Sequence, residues 1–277
     1  MKPARSIILI LSICLSGLAH GQQNRDSDSS FVLIRTIEGD IADVAMDNMD
    51  NLYVISSSGQ VKKFNAAGDS IAIYNQVMKF GKPFSIDVSN PLKILLFYKN
   101  FSTVVVLDRL LAPLATIDLR KFSILQPGAV GLSYDNNIWV FDEYDNKLKK
   151  INEQGDHLLE TADLRNIFNE SLQPQRIMSD YGKVYLADTA TGIFVFDNYG
   201  SFRKKIPVKN WHSLVVSGNN LVSTNDEMVT VYNTATLMQT QKKTPLFEPY
   251  FHSFITSDHF VYFSNKSLRM YRWRWEN

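Results

Sequence analysis

The chain has 277 residues, 45% of them hydrophobic and 12% aromatic, enough to bury one sizeable core and too few for three ordinary domains. Lysine plus arginine (29) almost cancels aspartate plus glutamate (28), so no global charge draws it to nucleic acid or to an anionic membrane surface. Its one cysteine, Cys14, excludes an internal disulfide, and losing it with the leader described next would exclude thiol catalysis, zinc-thiolate sites and iron-sulfur ligation as well.

Lys2 and Arg5 precede an apolar run from Ile7 to Leu18, broken only by Ser12, Ser16 and Gly17. This is the layout of a secretory signal peptide over residues 1–21, too short for the about 20 apolar residues that span a bilayer. Small residues at Ala19 and Gly21 predict cleavage before Gln22, giving a periplasmic or secreted product with no transmembrane segment. Ile13 stands where lipidation of Cys14 would want a small residue, which argues against a lipoprotein. Residues 22–30 are polar and rich in serine and aspartate, a flexible lead-in. The folded domain is then 31–277, opening with an apolar strand at residues 31–37.

Six units follow at a fixed period, each with two marks. The first is a short apolar strand core reached at Leu52, Ile94, Ile138, Val184, Leu221 and Val261, so the steps run from 37 to 46 residues. The second is an apolar pair three apart, often followed by Asn or Asp: Val61/Phe64, Val104/Leu107, Leu148/Ile151, Ile193/Phe196, Val229/Tyr232 and Leu268/Tyr271. Short strands parted by Asn, Asp and Gly turns read as an antiparallel meander, four strands to a unit. Repeated six times, that is an all-β, six-bladed β-propeller, whose ring leaves only short edges. The chain ends just after the sixth second mark, leaving that blade short of an outer strand. Pairing the strand at 31–37 into the sixth blade closes the ring and hides an edge.

The best-formed units, Asn137-Ile138-Trp139-Val140-Phe141-Asp142 through Leu148-Lys149-Lys150-Ile151-Asn152 and Val184-Tyr185-Leu186-Ala187-Asp188 with Gly192-Ile193-Phe194-Val195-Phe196-Asp197, resemble NHL-type repeats of exported six-bladed propellers in the TolB-like superfamily. The resemblance is one of fold: that superfamily includes lyases, lactonases, accessory proteins and binding scaffolds, so function has to be argued from a site. Its enzymes hold a divalent metal on the axis, with ligands from the entries to the innermost strands. Aligned across the units, with a one-residue slip in unit four, those entries read Ala42-Asp43, Phe84-Ser85, Gly128-Ala129, Gln175-Arg176, His212-Ser213 and His252-Ser253. A lactonase-like ring would supply several carboxylates or asparagines there, and only Asp43 qualifies.

Trp211-His212-Ser213 and Phe251-His252-Ser253 repeat one motif in adjacent blades, with Asp43 in the next blade round. Two imidazoles and a carboxylate at one channel mouth are the elements of a metal site or a proton-transfer pair. An aromatic-His-Ser entry packed on its neighbour is the plainer alternative. His157 and His259 fall in turns and are expected at the surface. Polar loops between second and third strands, including 142–146 and 188–192, share the mouth face, and Phe84, Phe101, Tyr144, Trp211 and Phe251 offer aromatic anchors beside Gln175 and Arg176. The repeated Asp118-Leu119-Arg120 and Asp163-Leu164-Arg165 steps read as turns with local ion pairs, and Lys147, Lys149 and Lys150 as solvated charge.

The absence of a serine elbow, a phosphate loop or a His-Glu-x-x-His pattern favours a non-enzymatic, monomeric binding or scaffold module with no cofactor. Its expected partner is a protein, peptide or glycan held on the top face and central channel. The alternative is a metal-dependent hydrolase or lyase holding one divalent ion on His212, His252 and Asp43.

Overall fold

The computed structural model describes residues 31–225, 227–244 and 252–273; the leader, the lead-in and Phe251 lie outside the described residues. It forms six four-stranded antiparallel sheets. From inside outward, blade one is Asp43–Met46, Leu52–Ile55, Val61–Phe64 and Ser70–Tyr74, and blade two Ser85–Asn90, Lys93–Tyr98, Thr103–Leu107 and Pro113–Asp118. Blade three is Pro127–Leu132, Ile138–Asp142, Lys147–Ile151 and His157–Glu160, and blade four Arg176–Asp180, Lys183–Asp188, Gly192–Asp197 and Phe202–Ile206. Blade five is Ser213–Ser217, Asn220–Thr224, Met228–Asn233 and Gln239–Lys243. Blade six takes His252–Ile255, His259–Phe263 and Ser267–Trp273 and borrows Phe31–Glu38 as its outermost strand. This is the closure expected for residues 31–37, one residue longer, with Phe31 opposite Trp273 and Glu38 opposite Ser267. Phe31 stacks on Trp273 at 6.3 Å between ring centroids and meets Phe260 edge-on at 5.5 Å.

An apolar cluster fills each gap between neighbouring blades, which explains both sequence marks. Side chains alternate across a strand, so a strand with sheets on both sides needs apolar residues of both parities. In the second mark, the first residue of each pair faces the following blade and the second, three on, the preceding one. Val104 packs toward blade three and Leu107 toward blade one; Ile193 packs toward blade five and Phe196 toward blade three. First-mark residues Leu52, Ile94, Ile138, Val184 and Leu221 all face the preceding blade. Val261 breaks this rule. It faces forward onto Val44 and Leu52 of blade one, whereas Phe260 faces back onto blade five. The sixth first mark is therefore Phe260, one residue earlier than the spacing indicated, because the hydrophobic run Phe260-Val261-Tyr262-Phe263 offers both parities.

The Asn or Asp after the second mark turns the corner to the outer strand. Asp108, Asn152, Asp197 and Asn233 each accept, through Oδ1, two backbone N–H groups of the turn that follows, and Asn65 Oδ1 accepts one, from Asp69. Blade six has Arg272 at that position and needs no corner, since its outer strand comes from the other end of the chain. Gly131 marks the tightest approach of inner strands: a Cβ there would collide with the backbone of Ile177 in blade four.

Two surface expectations change. Lys149 and Lys150 are buried, not solvated: Lys149 Nζ reaches Asp142 at 2.9 Å and Asp145 at 2.7 Å, and Lys150 Nζ reaches Asp135 at 2.6 Å. The third strand of a propeller blade is flanked on both faces, so even its charged positions pass between blades. His259 is also buried, while His157 keeps nearly half its surface exposed beside Glu160. The Asp-Leu-Arg turns carry the expected ion pairs, Arg120 to Asp118 at 2.9 Å and Arg165 to Asp163 at 2.6 Å. No helix among the described residues is long and apolar enough to cross a membrane.

Candidate channel-mouth site

The inner-strand ladders define the ring of residues at the mouth. Asp43 pairs opposite Ile55, Ser85 opposite Phe97, Ala129 opposite Phe141, Arg176 opposite Ala187, Ser213 opposite Thr224 and His252 opposite Phe263. In each case the partner lies three residues beyond the first mark, once Phe260 is taken as the sixth. Asp43, Ser85, Ala129, Arg176, Ser213 and His252 are thus equivalent. His212 belongs one step outward with Ala42, Phe84 and Gln175, each of which donates its backbone N–H to the same partner carbonyl at 2.7–2.9 Å. The two histidines therefore do not share a register, and the ring counterpart of His212 is Phe251, outside the described residues. The identical spacing of the two motifs to Leu221 and Val261 concealed the offset.

Three of the expected residues come together electrically. The carboxyl of Asp43 is pushed above its usual range, chiefly by burial, against its bond from the Val44 N–H and the charges of Arg176 and His252. Asp43 keeps exposed surface although protein surrounds it on nearly every side, as befits a group lining a narrow channel rather than an open face. Burial also lowers the guanidinium of Arg176, which Asp87 and Asp43 partly offset. Arg176 Nη1 donates to Leu214 O at 3.0 Å, tying blade four to blade five.

Asp87 is the member sequence reasoning missed. It sits two residues deeper than Ser85 on the same strand face, and its Oδ2 accepts the Leu132 N–H of blade three at 2.7 Å. The alternation Ser85-Ile86-Asp87-Val88 was the available signal, since it sends Ser85 and Asp87 to one side and two aliphatics to the other. The result is one guanidinium, two carboxylates and an imidazole around a channel, a constellation suited to holding polar or charged groups.

The other expected members have varied roles. Trp211 is buried against Tyr185, Ala187 and Ile193 of blade four, so it packs rather than walls the mouth. Gln175 accepts the Thr189 N–H at 2.9 Å and donates to Gln173 O, which occupies its amide locally. Phe84 is 47% exposed, with the Lys99 ammonium 5.2 Å from its ring centroid. Phe101 and Tyr144 are exposed nearby on second-to-third-strand loops, where Lys99 of blade two bonds Glu143 of blade three at 3.0 Å. His212 is exposed.

Asp142 and Asp188, which the loops presented as polar candidates, are structural clips. Asp142 is fully buried and accepts from the backbones of Leu125, Gln126 and Tyr144 and from Lys149; Asp188 accepts from Gln173, Ala190 and Thr191. Each ties the loop entering its blade to the loop after its second strand. Among the described residues, the group of three metal-ligating side chains with donor atoms within 4.8 Å of one another is Asp50, Asp258 and His259, not the trio at the mouth. A cleft of about 460 Å³ is lined by Phe80, Phe101, Phe122, Lys79 and Arg120 among others and by none of the six ring positions.

No family model matches the chain, and no curated protein matches it in sequence. Solved propellers do match in structure. The Pan2 WD40 domain of Neurospora crassa is 12% identical at a TM-score of 0.64, over 90% of this chain and 98% of that one. A catalytically inactive virginiamycin B lyase from Staphylococcus aureus, solved with quinupristin, is 10% identical at 0.57, over 87% and 99%. BBS1N in complex with ARL6DN is 9% identical at 0.55, over 90% and 98%. At such identities the likeness is one of fold, a propeller.

Proposed function

We propose that this chain is an exported propeller of the NHL-like kind, acting as a monomeric binding or scaffold module without a cofactor. It holds a protein, peptide or glycan partner over its mouth and central channel. The observation that carries the reading is the ring of Asp43, Ser85, Ala129, Arg176, Ser213 and His252, whose six equivalent positions bear five different side-chain types. Such a ring offers an asymmetric pattern of charge and hydrogen bonding for recognition, with Phe84, Phe101 and Tyr144 as exposed aromatic contacts beside it. A divalent ion on His212, His252 and Asp43 would form beside the Arg176 guanidinium, whose positive charge already acts on Asp43, and that repulsion disfavours the hydrolase or lyase alternative. The propeller of BBS1N, solved as a complex with ARL6DN, supports protein binding as a use of this fold. Export rests on the leader pattern ahead of Gln22.

A photo-crosslinking residue in place of Phe84 or Tyr144, expressed in the native host, should give one defined adduct. The same probe at Ile73, on the outer strand of blade one, should give none. Equal or absent labelling at all three positions rejects mouth-centred binding. Intact mass of the exported product beginning at Gln22 tests the leader.

A further inference from the structure

We propose that a divalent cation of the zinc class binds at the other end of the inner hairpins, held by Asp50 of blade one and by Asp258 and His259 of blade six. Asp50 lies in the turn between Asp43–Met46 and Leu52–Ile55, and Asp258 in the turn between His252–Ile255 and His259–Phe263. The seam formed by the packing of blade one against blade six brings the two turns side by side.

The separations suit a small metal. Zinc bonds to imidazole nitrogen at about 2.0–2.1 Å and to carboxylate oxygen at about 2.0–2.2 Å, so neighbouring corners of its tetrahedron stand about 3.3–3.5 Å apart. His259 Nδ1 is 3.1 Å from Asp258 Oδ1 and 3.7 Å from Asp50 Oδ1, and all three donor atoms lie within 4.8 Å of one another. The longer separation is no hydrogen bond, and no other group bonds the Asp50 side chain among the described residues. Neither carboxylate pairs with a lysine or arginine there, leaving two negative groups from different blades facing one imidazole. Nδ1 of His259 is the nitrogen aimed at both carboxylates and donates to Asp258 Oδ1 at 3.1 Å, so a metal would bind there by taking the place of that bonding proton.

The ligands also differ in a useful way. The His259 side chain is only 5% exposed, fixing one donor, whereas Asp50 and Asp258 are 52% and 61% exposed, leaving an entry path and an open position for water. Trp273 of the closing sheet holds the blade-six turn through its backbone N–H to Asp258 O at 3.0 Å and its indole N–H to Thr256 O at 3.2 Å. Bound there, the ion would clasp the first blade to the last. Three donors with one nitrogen select zinc-like ions over calcium, which takes six to eight oxygens.

The test uses the full mature chain, stripped with chelator and titrated with zinc chloride by calorimetry and thermal melting. One zinc per chain is expected, with a melting temperature that climbs with zinc concentration because the ion binds the folded ring. Asp50→Asn is the informative variant, since asparagine tolerates the left-handed conformation Asp50 adopts at φ 60 and the residue is exposed. It should fold normally and weaken zinc binding by about tenfold or more, given that changes to groups merely orienting a metal ligand already cost about 10- to 100-fold. Asp258→Asn should do the same, and calcium should not compete at equal concentration. Absent zinc binding, or binding unchanged in Asp50→Asn, overturns the site.

Discussion

His252 and Asp43 occupy the same rung of the inner ladder in neighbouring blades, each paired three residues past the apolar residue that packs back onto the blade before it. Their closeness is therefore a property of the ring, and it places an imidazole within electrostatic reach of a carboxyl whose ionisation burial opposes.

The sign of that opposition gives a pH prediction. A carboxyl whose folded-state pKa lies above its unfolded value of 3.8 binds more protons folded than unfolded, so its ionisation costs stability as pH rises through the folded pKa. Asp43→Asn should accordingly be more stable than the parent at neutral pH, the gain shrinking as pH falls toward the unfolded value. Urea melts at a series of pH values measure it. A gain that grows on acidification refutes the assignment.

Asp142 stabilises the ring rather than binding anything. Asp142→Ala leaves Lys149 buried with one carboxylate in place of two and strips several backbone N–H groups of their acceptor, so a loss of about 3–5 kcal/mol is expected in chemical denaturation. The exposed pair Asp118 and Arg120 supplies the control. Asp118→Ala should cost no more than about 1 kcal/mol.

Closure by the first strand predicts a sharp boundary. A chain starting at Phe31 should melt like the mature protein, whereas one starting at Gly39 exposes the edge of Ser267–Trp273 and should melt far lower or aggregate. Phe31→Ala, which removes the ring stacked on Trp273, should cost about 3 kcal/mol. Equal melting of the two truncations would disprove closure.

Local residue patterns were enough to specify the architecture. A strand buried on both faces must be apolar at both parities, and an outer-strand corner needs Asn or Asp to satisfy its free N–H groups. The pairs such as Val104/Leu107 followed by Asp108 record those two demands locally, six and five times over. Blade six lacks the corner residue because its outer strand arrives from residues 31–38. Register and company depend instead on how the blades pack against one another. Phe260 and Val261 are equally apolar, and packing against blade five or blade one alone assigns them, shifting His252 into the ring and His212 out of it. Asp87 reaches Arg176 across a channel, and Asp50 reaches His259 across the seam, between positions 89 and 209 residues apart in the chain. No local pattern encodes such distances, because they are set by how six twisted sheets close on one another.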